Sequence, residues 1–410
     1  MSDISSIAEA FLPRLVAQYG EGLVRRALAR WSWQVTTTFT GAGFAEVALE
    51  NIARAVHAFL GPDFAATTFI SWGRACDNSP ACQKLFLHRF GTSRCLFDDI
   101  LSWAAGGIDG PTSSGPGRPV RAASPKELPL CTHAHCVSHD RQCPLQVCPP
   151  RFRMLVELAG PPCPPFSKWG VKLGCRDTRF RTHRVWMADL RRRRPPVVVF
   201  ENVIGYKVRI LARELGDIYH IEAVEIDPRL WGVKMGRPRV YVVLTLIGKA
   251  QWNRDTPGKL HQSLGVLTAT PVMTVQSFFA DPDPCALREL TPSEQKHLAL
   301  YNNIAKGHRL APGRADVVDL TQTPKRGRGS LKDGSLPCFT THSGSLYSRG
   351  LARFLSPMQM MRAMGFPVQK INLHALGLSP SEIMAMAGNG MSVPCVTAVL
   401  LHVILFVSPA

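Results

Sequence analysis

Five short stretches carry residue types that do chemistry, and they occur in a fixed order along the 410 residues. Phe39-Thr40-Gly41-Ala42-Gly43 is a glycine turn that follows a Val- and Thr-rich run. Two glycines let a backbone approach a ligand closely, although a purely structural turn accounts for them equally well. Cys163 sits in Gly160-Pro161-Pro162-Cys163-Pro164-Pro165-Phe166-Ser167, directly after the apolar run Met154 to Ala159, which only Glu157 interrupts. Prolines fix backbone angles, so a thiol there is aimed rather than mobile. At the carboxyl end of a strand it faces the crevice where α/β sheets bind ligands. Taken alone, a buried cysteine in a proline-rich loop explains it better. Glu201-Asn202-Val203 closes another apolar run and in isolation reads as a helix-start cap. Arg237-Pro238-Arg239 offers two guanidinium forks suited to bidentate contacts, and Gly388-Asn389-Gly390 is a second glycine turn.

The elements that must position these residues alternate in type. Residues 4–31 have helical spacing, 33–39 read as a strand and 45–59 as a helix. A strand near 67–71, a helix at 80–90 and a short strand before Phe97-Asp98-Asp99-Ile100 follow. Beyond Cys163 come a basic helix ending in Arg191 to Arg194, a strand at 196–200, a helix at 206–214, and strands at 219–225 and 240–246. Such alternation argues for an α/β fold, a mostly parallel sheet with helices on both faces. The basic run is better read as a helix end favoured by its dipole than as a targeting signal.

The domain plan that follows has an N-terminal helical extension at 1–33 and a catalytic domain at 34–248. The latter carries a Cys- and His-containing insertion at about 103–150, whose Gly-, Pro- and Ser-rich stretch 104–128 reads as flexible. Residues 249–315 lose the alternation and form a small irregular domain, and 316–410 return to the catalytic one.

Together the five stretches, with Arg353-Phe354 through Gly365-Phe366-Pro367, resemble the DNA (cytosine-5) methyltransferase family. The resemblance spans about 34 to 407, apart from the insertion and the variable region. It implies a Rossmann-like fold dependent on S-adenosylmethionine, with 249–315 as target-recognition domain. It also explains the residue types. Carbon 5 of cytosine is too weak a nucleophile to take a methyl group unaided. A thiolate adding at carbon 6 makes it enamine-like, which is covalent catalysis. Cys163 matches the family's nucleophile, and Glu201 matches the acid that binds the ring nitrogen and exocyclic amine. Arg237 and Arg239 match the arginines that hold the ring carbonyl and that acid. Phe39, Gly41 and Gly43 match the cofactor loop, Pro162 lies in the nucleophile motif beside it, Asp99 matches the carboxylate for the adenine amine, and Asn389 stands by the methionine moiety. Direct alignment puts Cys76 where the family has an acid for the ribose hydroxyls, and a shift by one residue gives Asp77. Met235 and Gly236 replace a glutamine and an arginine usual in the family, and Pro164 replaces the glutamine that often follows the nucleophile. Ser167, Lys168, Trp169 and Lys172 match the mobile loop that contacts DNA while the target base is flipped out.

The family's tRNA-methylating branch is the alternative, because Cys338-Phe339-Thr340 is similar to a tripeptide found there. That segment also fits a strand leading into the penultimate motif, and DNA is favoured. A catalytically silent DNA-binding homologue is the third reading, and intact Cys163, Glu201, Arg237 and Arg239 argue against it. The net charge of +18 suits a polyanion.

Residues 131–148 hold Cys131, His133, His135, Cys136, His139, Cys143 and Cys148. These side chains can bind zinc, but their spacing matches no familiar finger and lacks two Cys-x-x-Cys pairs. No metal ligand is assigned, and reduced thiols packed near the site are the favoured reading. The start Met1-Ser2-Asp3 has no signal-peptide character, and the twelve irregularly spaced cysteines suit a reducing compartment. An intracellular location is expected, nuclear in a eukaryote. The late apolar run 396–407 is too short for a bilayer and reads as a buried helix, so no membrane partner is expected.

Overall fold

The computed structural model describes residues 7–61, 69–106, 124–146, 153–167, 173–253, 260–267, 275–279, 286–307, 317–323, 334–341 and 346–410. The expected first helix is two, α1 (Ile7–Tyr19) and α2 (Glu21–Ala29), broken at Gly20, whose φ of 81° no helix accommodates. Strand β1 (Trp33–Thr38) is buried along its whole length and passes through the glycine turn into α3 (Phe44–Leu60).

Next come β2 (Ile70–Cys76), α4 (Pro80–Phe90), β3 (Leu96–Phe97), β4 (His133–Cys136), β5 (Arg141–Pro144) and β6 (Met154–Ala159). β2 lies later than the expected 67–71, of which 67 and 68 fall outside the described residues. Its second half carries Gly73 and Arg74, which hide the strand pattern. Arg74 is nonetheless buried, ion-paired with Asp189 and stacked 4.3 Å from the centre of the Trp103 ring. Most of the glycine-rich insertion also lies outside the described residues.

The chain continues with α5 (Phe180–Arg193), β7 (Val197–Val203), α6 (Arg209–Leu215), β8 (Tyr219–Ile226) and β9 (Arg239–Leu246). β7 runs on through Glu201, Asn202 and Val203, so these residues belong to a strand and not to a helix cap. The strands form one nine-stranded sheet in the order β5-β4-β3-β2-β1-β6-β7-β9-β8. Its centre, β3 to β7, is parallel; β4 and β9 run against it. Alternate residues of β7 point to opposite cores, Val197 and Val199 to one and Val198 and Phe200 to the other, as a sheet covered on both faces requires. Glu157, the charge that interrupts β6, is fully buried; Arg193 reaches it at 2.8 Å and the Thr36 and Thr38 hydroxyls donate to it. The last arginine of α5 is therefore part of the core as well as a helix end.

The C-terminal part supplies β10 (Ala250–Trp252), α7 (Leu260–Gly265), α8 (Pro292–Gly307), β11 (Val317–Asp319), β12 (Leu346–Ser348), β13 (Arg353–Phe354), α9 (Pro357–Ala363), α10 (Pro380–Asn389), α11 (Val393–Phe406) and β14 (Val407–Pro409). β11, β12 and β13 form a small antiparallel sheet, and Val318, Leu320, Tyr347 and Phe354 on it pack with Leu290, Leu298 and Tyr301. A boundary at 315 thus cuts through this small unit. β10 pairs with β14, which ties residue 250 to the end of the chain. Every residue of α11 is buried, and the helix packs on α1, α2 and α3. The capping boxes Ser356/Gln359 and Ser379/Glu382 start α9 and α10.

Candidate active site

β1 lies between β2 and β6 at the point where strand order reverses, so the carboxyl ends of β1, β2, β6 and β7 surround the crevice that binds ligands in such sheets. The turn after β6 is held from two sides. The Cys163 carbonyl accepts the Phe166 and Ser167 amides at 2.9 and 3.0 Å, and Asn202 Nδ2 donates to the Pro161 carbonyl at 3.0 Å. Phe166 packs against Tyr206 at 4.7 Å between ring centres. Pro162 lies within this clamped turn, next to Cys163. Glu201 and its neighbour Asn202 have separate tasks, Glu201 pairing with Arg239 and Asn202 fixing the cysteine turn.

Arg239 pairs with Val203 across β9 and β7, which puts its side chain on the same face as Glu201. Its Nε lies 3.2 Å from Glu201 Oε1, and both side chains are about a tenth exposed, 12% and 10%. Burial raises the Glu201 pKa against the pull of Arg239 and Arg237. Burial likewise raises the Cys163 thiol, opposed chiefly by Arg239. Cys163 and Arg239 line one cleft of about 1200 Å³ together with Ser167, Cys338 and Asn389. That volume exceeds a usual small-molecule pocket of roughly 300–1,000 Å³.

Arg237 does something other than pair with the acid. It is 2% exposed, and its Nη2 donates to the Gly388 and Gly390 carbonyls at 2.9 and 2.7 Å. Its Nη1 donates to the Phe339 carbonyl at 3.2 Å and lies 3.4 Å from Cys338 Sγ. It braces two chain segments at the back of the cleft. Cys338 was not assigned from sequence, although the Cys338-Phe339-Thr340 tripeptide pointed there. Only Leu336 makes a strand-like bridge, to Met235, and 337–340 run as irregular chain beside the two arginines. Burial pushes the Cys338 thiol up, but Arg237 and Arg239 outweigh it and its pKa falls below the ordinary thiol value. Gly388 permits this packing: a Cβ there would meet the Thr340 backbone at 2.4 Å.

The other expected ligands gather at the β1 turn. Gly41 N donates to Asp77 Oδ2 at 2.8 Å, and Asp77 Oδ1 accepts Ser79 N at 3.0 Å. Cys76 is buried in β2 with its thiol toward the Asp98 carbonyl, so the carboxylate one position on is the group at the loop. Phe39, Gly41 and Gly43 all have positive φ, 61°, 56° and 80°. Phe39 is unusual in that region, which is strained for a side chain and concentrates at ligand sites. A recess of about 20 Å³ joins Phe39, Gly41, Phe44 and Gly160 to Asn389, which lines the large cleft as well. Asp99 Oδ1 caps a short 3-10 turn by accepting Leu101 N at 2.9 Å. Carboxylates at two neighbouring strand ends and a turn whose backbone can approach closely suit hydroxyls, an amine and an amino-acid moiety, the groups of S-adenosylmethionine.

Ser167 lines the cleft, while Lys168, Trp169 and Lys172 lie outside the described residues. Arg179 is engaged as a fork on Asp177, at 2.8 and 2.6 Å. Lys207 and Arg209, whose positions carry no motif signal, line the cleft as well.

Residues 150–404 match the family model for C-5 cytosine-specific DNA methylase. The chain belongs to that family. It is an S-adenosylmethionine-dependent DNA (cytosine-5) methyltransferase. It is 26% identical over 257 residues to the Type II methyltransferase M.HaeII of Haemophilus aegyptius, covering 59% of this chain and 71% of that one. It is 25% identical over 253 residues to M.NlaX of Neisseria lactamica, covering 59% and 73%. Its fold resembles the crystal structure of S. pombe Dnmt2 methyltransferase (TM-score 0.51, 16% identity, 91% of this chain and 98% of that one). The Entamoeba histolytica methyltransferase EhMeth is similar in fold to the same extent (TM-score 0.52, 12% identity, 91% and 98%).

Proposed function

We propose that Cys163 is the nucleophile of this methyltransferase and that Glu201, steadied by Arg239, is its acid. The observation that carries the reading is the Glu201–Arg239 pair, 3.2 Å apart, beside Cys163 at the cleft. The target cytosine leaves the duplex to reach the thiol, because a stacked base is inaccessible. Cys163 gives up its proton to solvent and its sulfur bonds to carbon 6, breaking the 5,6 double bond. Glu201 hands a proton to the ring nitrogen as electron density moves there, which general acids do with typical gains of 10²–10⁴-fold. Burial raises its pKa and so eases proton uptake before the step, and Arg239 stabilises the carboxylate after it. When bound, S-adenosylmethionine would supply carbon 5 with an electrophilic methyl group, its sulfonium–methyl bond breaking to leave a neutral thioether. Return of the ring-nitrogen proton to Glu201, loss of the carbon 5 proton to solvent and expulsion of the Cys163 thiolate restore the ring.

Phe39, Gly41, Gly43, Asp77, Asp99, Pro162 and Asn389 hold the methyl donor, with Asp77 on the ribose and Asp99 on the adenine amine. Arg237 positions the Gly388–Gly390 turn rather than touching the base. Ser167, Lys168 and Lys172, with Lys207 and Arg209 on the cleft wall, serve the DNA phosphates and Trp169 the bases beside the flipped cytosine, and the net charge of +18 favours that partner. Incubating the purified protein with labelled S-adenosylmethionine and either duplex DNA or tRNA tests the reading. Label in DNA as 5-methylcytosine supports it; label in tRNA alone contradicts the substrate.

A further inference from the structure

Outside the cleft, four side chains from two distant stretches converge. Cys95, Cys136, His139 and Cys143 offer ligand atoms that all lie within 4.8 Å of one another. His139 Nδ1 is 3.6 Å from Cys95 Sγ, 3.3 Å from Cys136 Sγ and 3.4 Å from Cys143 Sγ. Hydrogen bonding does not explain this, since one ring nitrogen has a single lone pair or a single proton and three sulfurs face it. A tetrahedral ion does. With zinc–sulfur bonds of about 2.3 Å and a zinc–nitrogen bond of about 2.0–2.1 Å, sulfur and nitrogen ligands stand about 3.5–3.6 Å apart along a tetrahedral edge. All three sulfurs are free of disulfides, and Cys136 and Cys143 are buried.

We infer that Cys95, Cys136, His139 and Cys143 form a closed structural zinc site that fastens the β4–β5 hairpin to the edge of the catalytic sheet. Four protein ligands leave no open position for chemistry. Cys136 ends the first strand of the hairpin, His139 lies in its turn and Cys143 on its second strand, and Cys95 immediately precedes β3. Cys136 pairs with Phe97, and Val137 N donates to the Leu96 carbonyl at 2.7 Å. β3 in turn leads into Asp98 and Asp99, and the Phe97 carbonyl accepts the Asp77 amide at 3.1 Å. The ion thereby steadies the strand ends that carry both carboxylates assigned to the methyl donor, a consequence that rests on that assignment. His135 stays outside the donor set, between Asp98 and Asp140 at 3.5 and 3.4 Å. Cys148 lies outside the described residues.

Elemental analysis of the full chain, purified without added metal, tests the site independently of any activity. It should find about one zinc per chain, released when a mercurial titrates the thiols. Replacement by cobalt should give thiolate-to-metal charge-transfer absorption with tetrahedral visible bands. Cys143→Ser and Cys95→Ser should each lower zinc content severalfold; if either fails to fold, the wild-type cobalt spectrum decides. Zinc near zero in folded protein, a disulfide among these thiols, an octahedral cobalt spectrum, or full zinc retention in both variants would overturn the inference. Loss of S-adenosylmethionine binding on zinc removal supports the link to Asp77 and Asp99; unchanged binding overturns that link while leaving the metal site standing.

Discussion

Replacing Arg239 with glutamine tests the electrostatics of the cleft, because it removes the charge paired with Glu201 and keeps much of the volume. At 3.2 Å and an effective dielectric constant of about 20, the lost attraction is about 5 kcal/mol. Glu201 does not bear all of that, because it can take up a proton. From an ordinary value of 4.5, protonation at pH 7 costs at most about 3 kcal/mol, and at pH 5 less than about 1 kcal/mol. The sign follows from linkage. Burial already raises the folded-state pKa of Glu201, and the substitution raises it further. The folded variant then binds more protons than the unfolded chain, and its stability falls as pH rises. Unfolding free energies of wild type and Arg239→Gln should nearly coincide at pH 5 and diverge at pH 7, by no more than about 3 kcal/mol. Glu201→Gln in the same chain should flatten that divergence. An equal loss at both pH values, or a divergence that survives in the double variant, would show that Arg239 acts through packing and would refute the charge argument. Turnover of Arg239→Gln should drop about 10²–10⁴-fold.

Four further outcomes are expected. Cys163→Ser should lose turnover while its melting temperature and affinity for S-adenosylmethionine stay close to wild type. Adduct formation should quicken as pH rises above neutrality, since burial holds the Cys163 thiol above its ordinary value and the thiolate is the reactive form; a rate independent of pH between 6.5 and 8.5 would contradict this. Gly43→Asp should abolish S-adenosylmethionine binding by calorimetry: φ is +80° there, and a Cβ would meet Arg89 Nη1 at 3.3 Å and Glu46 Oε2 at 3.6 Å, so the turn cannot keep its shape around a side chain. Trp169→Ala should slow methylation of a paired cytosine far more than of one opposite an abasic site, because aromatic–base stacking worth roughly 1–3 kcal/mol offsets the cost of flipping; equal slowing would mean that the indole only supports its loop.

The parallel heart of the fold was readable because glycine and proline punctuate it. Gly160 and the prolines end β6 where the sequence says they should, and Pro80 and Phe90 bound α4. Burial of charge defeated the pattern elsewhere: Arg74 inside β2 looks like a strand breaker until Asp189 and Trp103 are seen around it. The small unit was blurred because β11, β12 and β13 have only three, three and two residues, too few for any periodicity. In the cleft, motif spacing pointed to Cys163, Glu201 and Arg239, but two arginines two positions apart look alike in sequence. Only the neighbouring Gly388 and Gly390 carbonyls separate the brace from the partner of the acid. Cys95 could not be joined to the 131–148 cluster by spacing, since the insertion separates them and only the β3–β4 pairing brings them together.

The most direct test of the account is covalent trapping. Duplex DNA with every cytosine replaced by 5-fluorocytosine is incubated with the protein and S-adenosylmethionine, and the cross-linked peptide is sequenced by mass spectrometry. Fluorine at carbon 5 leaves no proton to remove, so the thioether formed at carbon 6 persists after methyl transfer. The account predicts one methylated adduct on Cys163. An adduct on Cys338 or any other residue, or methylated DNA product with no adduct at all, would contradict it.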